Sequence, residues 1–166
     1  MIFGNPGNTA STDGAASAVD EAASAGKAEI PTSSDVVTEG TGEIGSWQNA
    51  NESMSDASRK YQHYITGVED GMVYNVSGVR FDGYKDGILL EAKGNYSNFV
   101  NKNGEFHKWF AGAESLVNQG RRQLAVAEGN SIKWFFNDST SLEATRRLFE
   151  NRNIRGIELV LDIMPR

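Results

Sequence analysis

The chain has 166 residues, 39% of them hydrophobic and 18 of them glycine, enough for one ordinary domain or a domain with a tail. No run of 18 apolar residues occurs, which excludes a membrane-spanning helix, and the opening MIFGNPGN has neither the basic nor the apolar region of a secretory signal. Cysteine is absent and only His63 and His107 are available, so disulfide scaffolds, thiolate metal sites, thiol nucleophiles and histidine-rich zinc chemistry are set aside.

The net charge of −6 is unevenly placed. In residues 1–45 Lys27 stands against Asp13, Asp20, Glu21, Glu29, Asp35, Glu39 and Glu43, which accounts for all of it, and the remainder of the chain is balanced. That first stretch is dominated by Ala, Gly, Ser and Thr, with Phe3 its one aromatic residue. It cannot bury enough apolar surface to offset its ordering entropy, so residues 1–45 read as a flexible acidic linker, and residues 46–166 as the folded domain.

From Ser46 the texture changes. Trp47, Met54, Ala57, Tyr61 and Tyr64 recur near the helical period, which predicts a helix over Ser46–Ile65 stopped by Gly67. Three strands follow, Met72–Val76, Val79–Tyr84 and Ile88–Lys93, separated by the hairpin dipeptides Ser77-Gly78 and Asp86-Gly87. A long helix is expected over His107–Glu128, then a strand at Ser131–Phe136, a helix at Ser139–Asn151 with Ser/Thr caps, and a last strand at Gly156–Ile163. The order α-β-β-β-α-β-α-β predicts an α/β (mixed α+β) fold, an antiparallel meander followed by a strand–helix–strand unit.

The stretch FDGYKDGILLEAKG carries the chemistry. A two-residue loop at Asp86-Gly87 pairs Lys85 with Ile88, and the same register carried on sets Asp82 opposite Glu91 and Arg80 opposite Lys93. Leu90 and Ala92 then point the other way, into the core. Opposed carboxylates repel, and a solvated patch of charges is an unconvincing setting for so apolar a segment as LLEAKG. A divalent cation turns the conflict into a site: hard oxygen donors from Asp82, Glu91 and the Ala92 carbonyl suit Mg²⁺ or Mn²⁺. Lys93 would then orient an attacking water or stabilise charge on a phosphate. Trp109, Trp134, Phe135 and Phe136 could stack bases, but they lie in periodic apolar segments and read better as core. Arg121, Arg122, Arg146, Arg147, Arg152 and Arg155 could hold phosphates or answer helix dipoles. His107, ahead of its helix, is a candidate auxiliary.

Asp82 followed by Glu91-x-Lys93 on the next strand resembles the catalytic core of the PD-(D/E)xK nucleases, the restriction-endonuclease-like superfamily, and the α-β-β-β-α-β order resembles its common core with a helix and a strand added. Tyr61-Gln62, Ile65-Thr66-Gly67, FDGYKDGILLEAKGNYSNF, Trp109, the Gln119–Gln123 helix and Ile132–Phe136 are, more narrowly, similar to the fifth restriction-endonuclease-fold toxin family. Its members are C-terminal domains of bacterial polymorphic toxins, often delivered by type VI secretion. Phe81-Asp82-Gly83 departs from the Pro-Asp of the superfamily name, a substitution common there.

The resemblance implies catalytic roles for Asp82, Glu91 and Lys93, with Gln119 and Gln123 on one helix face bordering the site. Metal would be held by Asp82, Glu91, the Ala92 carbonyl and Glu52 as a further acidic ligand from the first helix. It implies a Mg²⁺-dependent endonuclease acting on DNA, or on RNA by the same chemistry. It further implies export without a signal peptide through a secretion apparatus or chaperone bound upstream, action in the target-cell cytoplasm and a cognate immunity protein. The reading from another class is a non-catalytic protein-binding module on a nuclease-like fold.

Overall fold

The computed structural model describes residues 43–166. Seven strands and three α-helices are present among them: β1 (Ser46–Asn49), α1 (Asp56–Thr66), β2 (Met72–Val76), β3 (Val79–Phe81), β4 (Gly83–Lys85), β5 (Ile88–Lys93), α2 (Gly112–Val126), β6 (Ser131–Phe136), α3 (Ser139–Asn151) and β7 (Ile157–Leu161). β1, β2 and β3 make an antiparallel sheet in that order. A second sheet runs β4-β5-β6-β7, antiparallel at β4–β5 and parallel from β5 to β7, with α2 and α3 as the crossovers. This is the expected mixed α/β architecture, consistent with a restriction-endonuclease-like fold. No helix among the described residues is long and apolar enough to cross a membrane.

Local chemistry accounts for the punctuation. Ser77 and Gly78 have φ of 51° and 89°, and Asp86 and Gly87 have 54° and 81°, the paired positive values of a type I′ turn. Gly67 closes α1 in the left-handed region with its N–H on the His63 carbonyl, as expected. Asp138, rather than a Ser or Thr, caps α3, its Oδ2 accepting from Ser141 N at 2.8 Å.

Several boundaries differ from expectation. The first predicted helix is a strand and a shorter helix. Ser55 caps α1 by accepting from Ser58 N at 3.1 Å, and Ser46–Asn49 pairs with β2, its Trp47 meeting Tyr74 edge-on at 5.0 Å. The predicted strand Val79–Tyr84 is cut at Asp82, where the chain leaves the first sheet for the second. The long helix starts at Gly112, because His107–Ala111 forms tight turns in which Phe110 N donates to His107 O and Ala113 N to Phe110 O. It ends at Val126, and Glu128 and Gly129 both take positive φ after it. The last strand spans only Ile157–Leu161.

Most of the linker assigned to residues 1–45 lies outside the described residues. Gly45 belongs to the fold, since its N–H donates to Tyr74 Oη at 2.8 Å and a Cβ there would stand 2.2 Å from the Asn75 carbonyl oxygen.

The core joins both sheets. Tyr74, Val76 and Phe81 from the first meet Leu89, Ile132, Trp134 and Phe136 from the second, under Leu116 and Val117 of α2 and Leu142 and Phe149 of α3. Tyr74 stacks on Tyr84 with centroids 4.5 Å apart, which fastens the two sheets on either side of Asp82.

Candidate active site

β5 is covered on both faces. The parallel register sets Leu89 beside Ile132, Glu91 beside Trp134 and Lys93 beside Phe136, so these six side chains share a face. That face is the core, roofed by α2 and α3, and it holds Glu91 and Lys93 at only 6% and 7% exposure. Leu90 and Ala92 therefore do not point into the main core as the alternation predicted. They lie on the opposite face, which α1 covers, with Leu90 and Thr66 flanking Gly83. Polar residues at alternate positions look solvent-facing in a sequence. Here they face inward because helix α2 brings polar partners for them.

Those partners are Gln119 and Gln123, one turn apart. Gln119 Nε2 donates to Glu91 Oε2 at 2.8 Å, while its Oε1 accepts from Lys93 Nζ. Gln123, fully buried, donates from Nε2 to Glu91 Oε1 at 3.0 Å and to the Arg80 carbonyl at 3.3 Å. Its Oε1 accepts from Trp134 Nε1 at 2.8 Å. Lys93 Nζ sits 3.4 Å from Glu91 Oε2 and 4.4 Å from the Trp134 ring centroid. A carboxylate, an ammonium, two amides and an indole N–H are thus mutually satisfied in the interior, which is the condition on which such groups are tolerated there.

Asp82 reaches the same place by a different route. The β4–β5 register runs Lys85 to Ile88, Tyr84 to Leu89 and Gly83 to Leu90, as expected, and then stops. Continued, the ladder would place Ala92 N–H on the Phe81 carbonyl. Instead Phe81 pairs with Tyr74 in the first sheet, and the half-buried Asp82 carboxylate accepts from Ala92 N at 2.8 Å. Asp82 is therefore close to Glu91 but is not its ladder partner. Arg80 likewise faces Asn75 and not Lys93, and its guanidinium pairs with Glu52 at 2.9 Å. Glu52 lies in the segment before α1, not on a helix as predicted, and is turned to Arg80.

Burial first, then Glu91, then Glu52 hold the Asp82 carboxyl well above the usual carboxylate range, against the opposing Ala92 N–H and Lys93. This is negative charge that the neighbouring cations do not fully offset. The hard oxygens of Asp82 and Glu91, with the Ala92 carbonyl, fit a small divalent cation, and Mg²⁺ needs only one or two carboxylates because it keeps much of its water. No group of three acidic or histidine side chains among the described residues converges as a ligand cluster. The set that fits is the Asp82–Glu91 pair.

The other candidates fall elsewhere. Arg152 pairs with Glu114, Arg146 with Glu143 at 3.2 Å, and Arg121 donates to the Arg152 carbonyl. A cleft of about 180 Å³ lined by Arg59, His63, Glu69 and Asp70 adjoins the site only through Glu52. Trp134 and Phe136 are fully buried, as expected, but Trp109 is 66% exposed and so is not core. In the sequence Trp134 reads as a core residue, with no sign of a bond to Gln123. Its position beside Glu91 across β5 and β6 becomes readable only once the parallel register is known.

The fold and this cluster define a mixed α/β domain with an acidic residue at a strand junction and Glu-x-Lys on the following strand. Residues 58–139 match the family model of restriction endonuclease fold toxin 5. A comparison with curated proteins finds no match. The family suggests a nuclease toxin domain with a nucleic acid substrate, and restriction-endonuclease-like folds typically use divalent metals.

Proposed function

We propose that this domain is a Mg²⁺-dependent endonuclease acting on DNA, with Asp82, Glu91 and Lys93 as its catalytic residues. The observation that carries the reading is the convergence of Asp82, Glu91 and Lys93 at the junction of the two sheets, with Gln119 and Gln123 fixing the last two. Asp82, Glu91 and the Ala92 carbonyl would hold a divalent cation, which when bound polarises a phosphoryl oxygen and offsets charge in the transition state.

The protein's own groups do the rest. Glu91 cannot swing away, because both its oxygens accept from glutamine amides. Lys93, braced by Gln119 and the Trp134 ring, presents a cation to the phosphate as charge develops on it. Attack by water at phosphorus breaks one P–O bond and leaves a phosphate monoester and a hydroxyl. Any phosphodiester meets these requirements, so the three residues act on RNA by the same chemistry.

Within this reading the domain is the toxic part of an antibacterial effector. Secretion machinery or a chaperone engages the upstream region, export proceeds without a signal peptide, and the toxin acts in the target-cell cytoplasm. An immunity protein that covers the site of Asp82, Glu91 and Lys93 protects the producer. Incubation with plasmid, oligonucleotide and total RNA is expected to give cleavage in Mg²⁺ or Mn²⁺ and none in EDTA. Cleavage undiminished by EDTA, or no cleavage of any of the three, contradicts the proposal. Calorimetric titration with Mn²⁺ separates it from a non-catalytic binding module, which has no need to take up the ion.

A further inference from the structure

The segment between β5 and α2 starts at the residue after Lys93 and ends at the helix that carries Gln119, so both its ends are anchored in the site. It is a built loop. Asn101 Oδ1 accepts from Asn103 N at 2.8 Å and Glu105 N at 3.1 Å, and Val100 bridges to Phe106. Four of its aromatic rings pack inward: Phe99 stacks on Phe110 at 4.3 Å, Phe106 lies 5.3 Å from Phe110, and Tyr96 lies 6.1 Å from Phe110.

Trp109 does the opposite. It is the most exposed large hydrophobic residue among those described, at 66%, yet its ring is held in place. The His107 imidazole lies nearly parallel to it at 4.9 Å and 16°, and Phe99 meets it edge-on at 6.1 Å. Lys108, the residue before it, is exposed, as are Lys102, Asn103 and Glu105 of the same loop. A single oriented indole, with an exposed lysine preceding it in a loop of exposed polar residues, is too small an apolar patch for the core of a protein interface. It matches the ring-plus-cation pattern that holds a nucleobase and its phosphate.

Resting on the nuclease reading above, we infer that Trp109 is a stacking subsite for an unpaired base of the strand being cut, so that single-stranded or locally unpaired nucleic acid is the preferred substrate. Duplex bases offer no free face to an indole, whereas an unstacked base does, whatever its identity.

The test uses the full chain as wild type, Trp109→Ala and Trp109→Phe, on a single-stranded oligonucleotide and on the same strand annealed. Trp109→Ala is expected to raise KM on the single strand about 5- to 100-fold with little change in kcat, and Trp109→Phe to keep most of the affinity. One abasic position in the oligonucleotide should cost the wild type a similar factor and cost Trp109→Ala nothing further. Equal KM for wild type and Trp109→Ala overturns the inference while wild-type cleavage leaves the nuclease reading intact. Binding to the Asp82→Asn chain, read by fluorescence anisotropy, tests stacking apart from cleavage. There too, equal affinity with and without Trp109→Ala overturns the subsite. A Trp109→Ala toxin that cuts normally but escapes neutralisation by a co-expressed immunity protein also overturns it and makes Trp109 a protein contact.

Discussion

Glu91→Ala should lose activity and stability together. Glu91 is the acceptor for Gln119 Nε2 and Gln123 Nε2 and the near counter-charge of Lys93, all around a carboxylate only 6% exposed. Truncation leaves Gln119 Nε2 without an acceptor, Gln123 Nε2 with only the Arg80 carbonyl, and the Lys93 ammonium, still bonded to Gln119 Oε1, without its buried counter-charge. Breaking a buried charged pair in this way costs about 3–5 kcal/mol. Cleavage of plasmid should fall by roughly 100- to 1,000-fold, the scale on which a single transition-state electrostatic group is missed. Denaturant unfolding beside the cleavage assay checks both. A stable, active Glu91→Ala protein would mean that the buried network is neither structural nor catalytic. Because this variant confounds the two losses, it is a poor sole test of chemistry.

The second large effect is expected where sequence patterning saw only packing. Trp134→Phe keeps an aromatic ring beneath Lys93 and against Phe149 but removes the Nε1–H that Gln123 Oε1 accepts. Gln123 Oε1 then has no donor in the interior, and the amide that braces Glu91 is held from its Nε2 end alone. An unpaired buried acceptor costs about 1–3 kcal/mol, to which the smaller ring adds a cavity. Groups that orient a catalytic carboxylate from behind typically cost about 10- to 100-fold when removed. If Trp134 acts through Gln123, the two substitutions are not additive. Trp134→Phe should lower the rate far less in a Gln123→Leu background than in the wild type. Equal effects in both backgrounds would reduce Trp134 to a packing residue.

These two residues also mark where the sequence stops being readable. The hairpins at Ser77-Gly78 and Asp86-Gly87 follow from turn chemistry alone, and β5, β6 and α3 lie where periodicity set them, because each is punctuated by turn residues or a cap. The cluster FDG…LLEAKG with two glutamines four apart was likewise visible. What local pattern could not show was direction. Glu91 and Lys93 look outward until helix α2, some thirty residues later, supplies their partners. Nor could it show that Asp82 spends its side chain on Ala92 N and breaks the ladder there, because that depends on Phe81 joining Tyr74 in another sheet. Trp47 fell into helical spacing by coincidence with α1. Its strand is defined by pairing with β2, a contact no local window contains.

Asp82→Asn separates chemistry from folding. An Asn keeps an oxygen for Ala92 N–H and occupies the same volume, while removing charge that burial, Glu91 and Glu52 make costly to hold. The measurement is plasmid cleavage in Mg²⁺ by wild type and Asp82→Asn, with thermal unfolding of both in EDTA. Cleavage by Asp82→Asn should fall to background while its Tm stays at or above the wild-type value, the signature of a residue kept for function at the expense of stability. Wild-type rates from Asp82→Asn would contradict the assignment of Asp82, Glu91 and Lys93 as a phosphodiester-cleaving site.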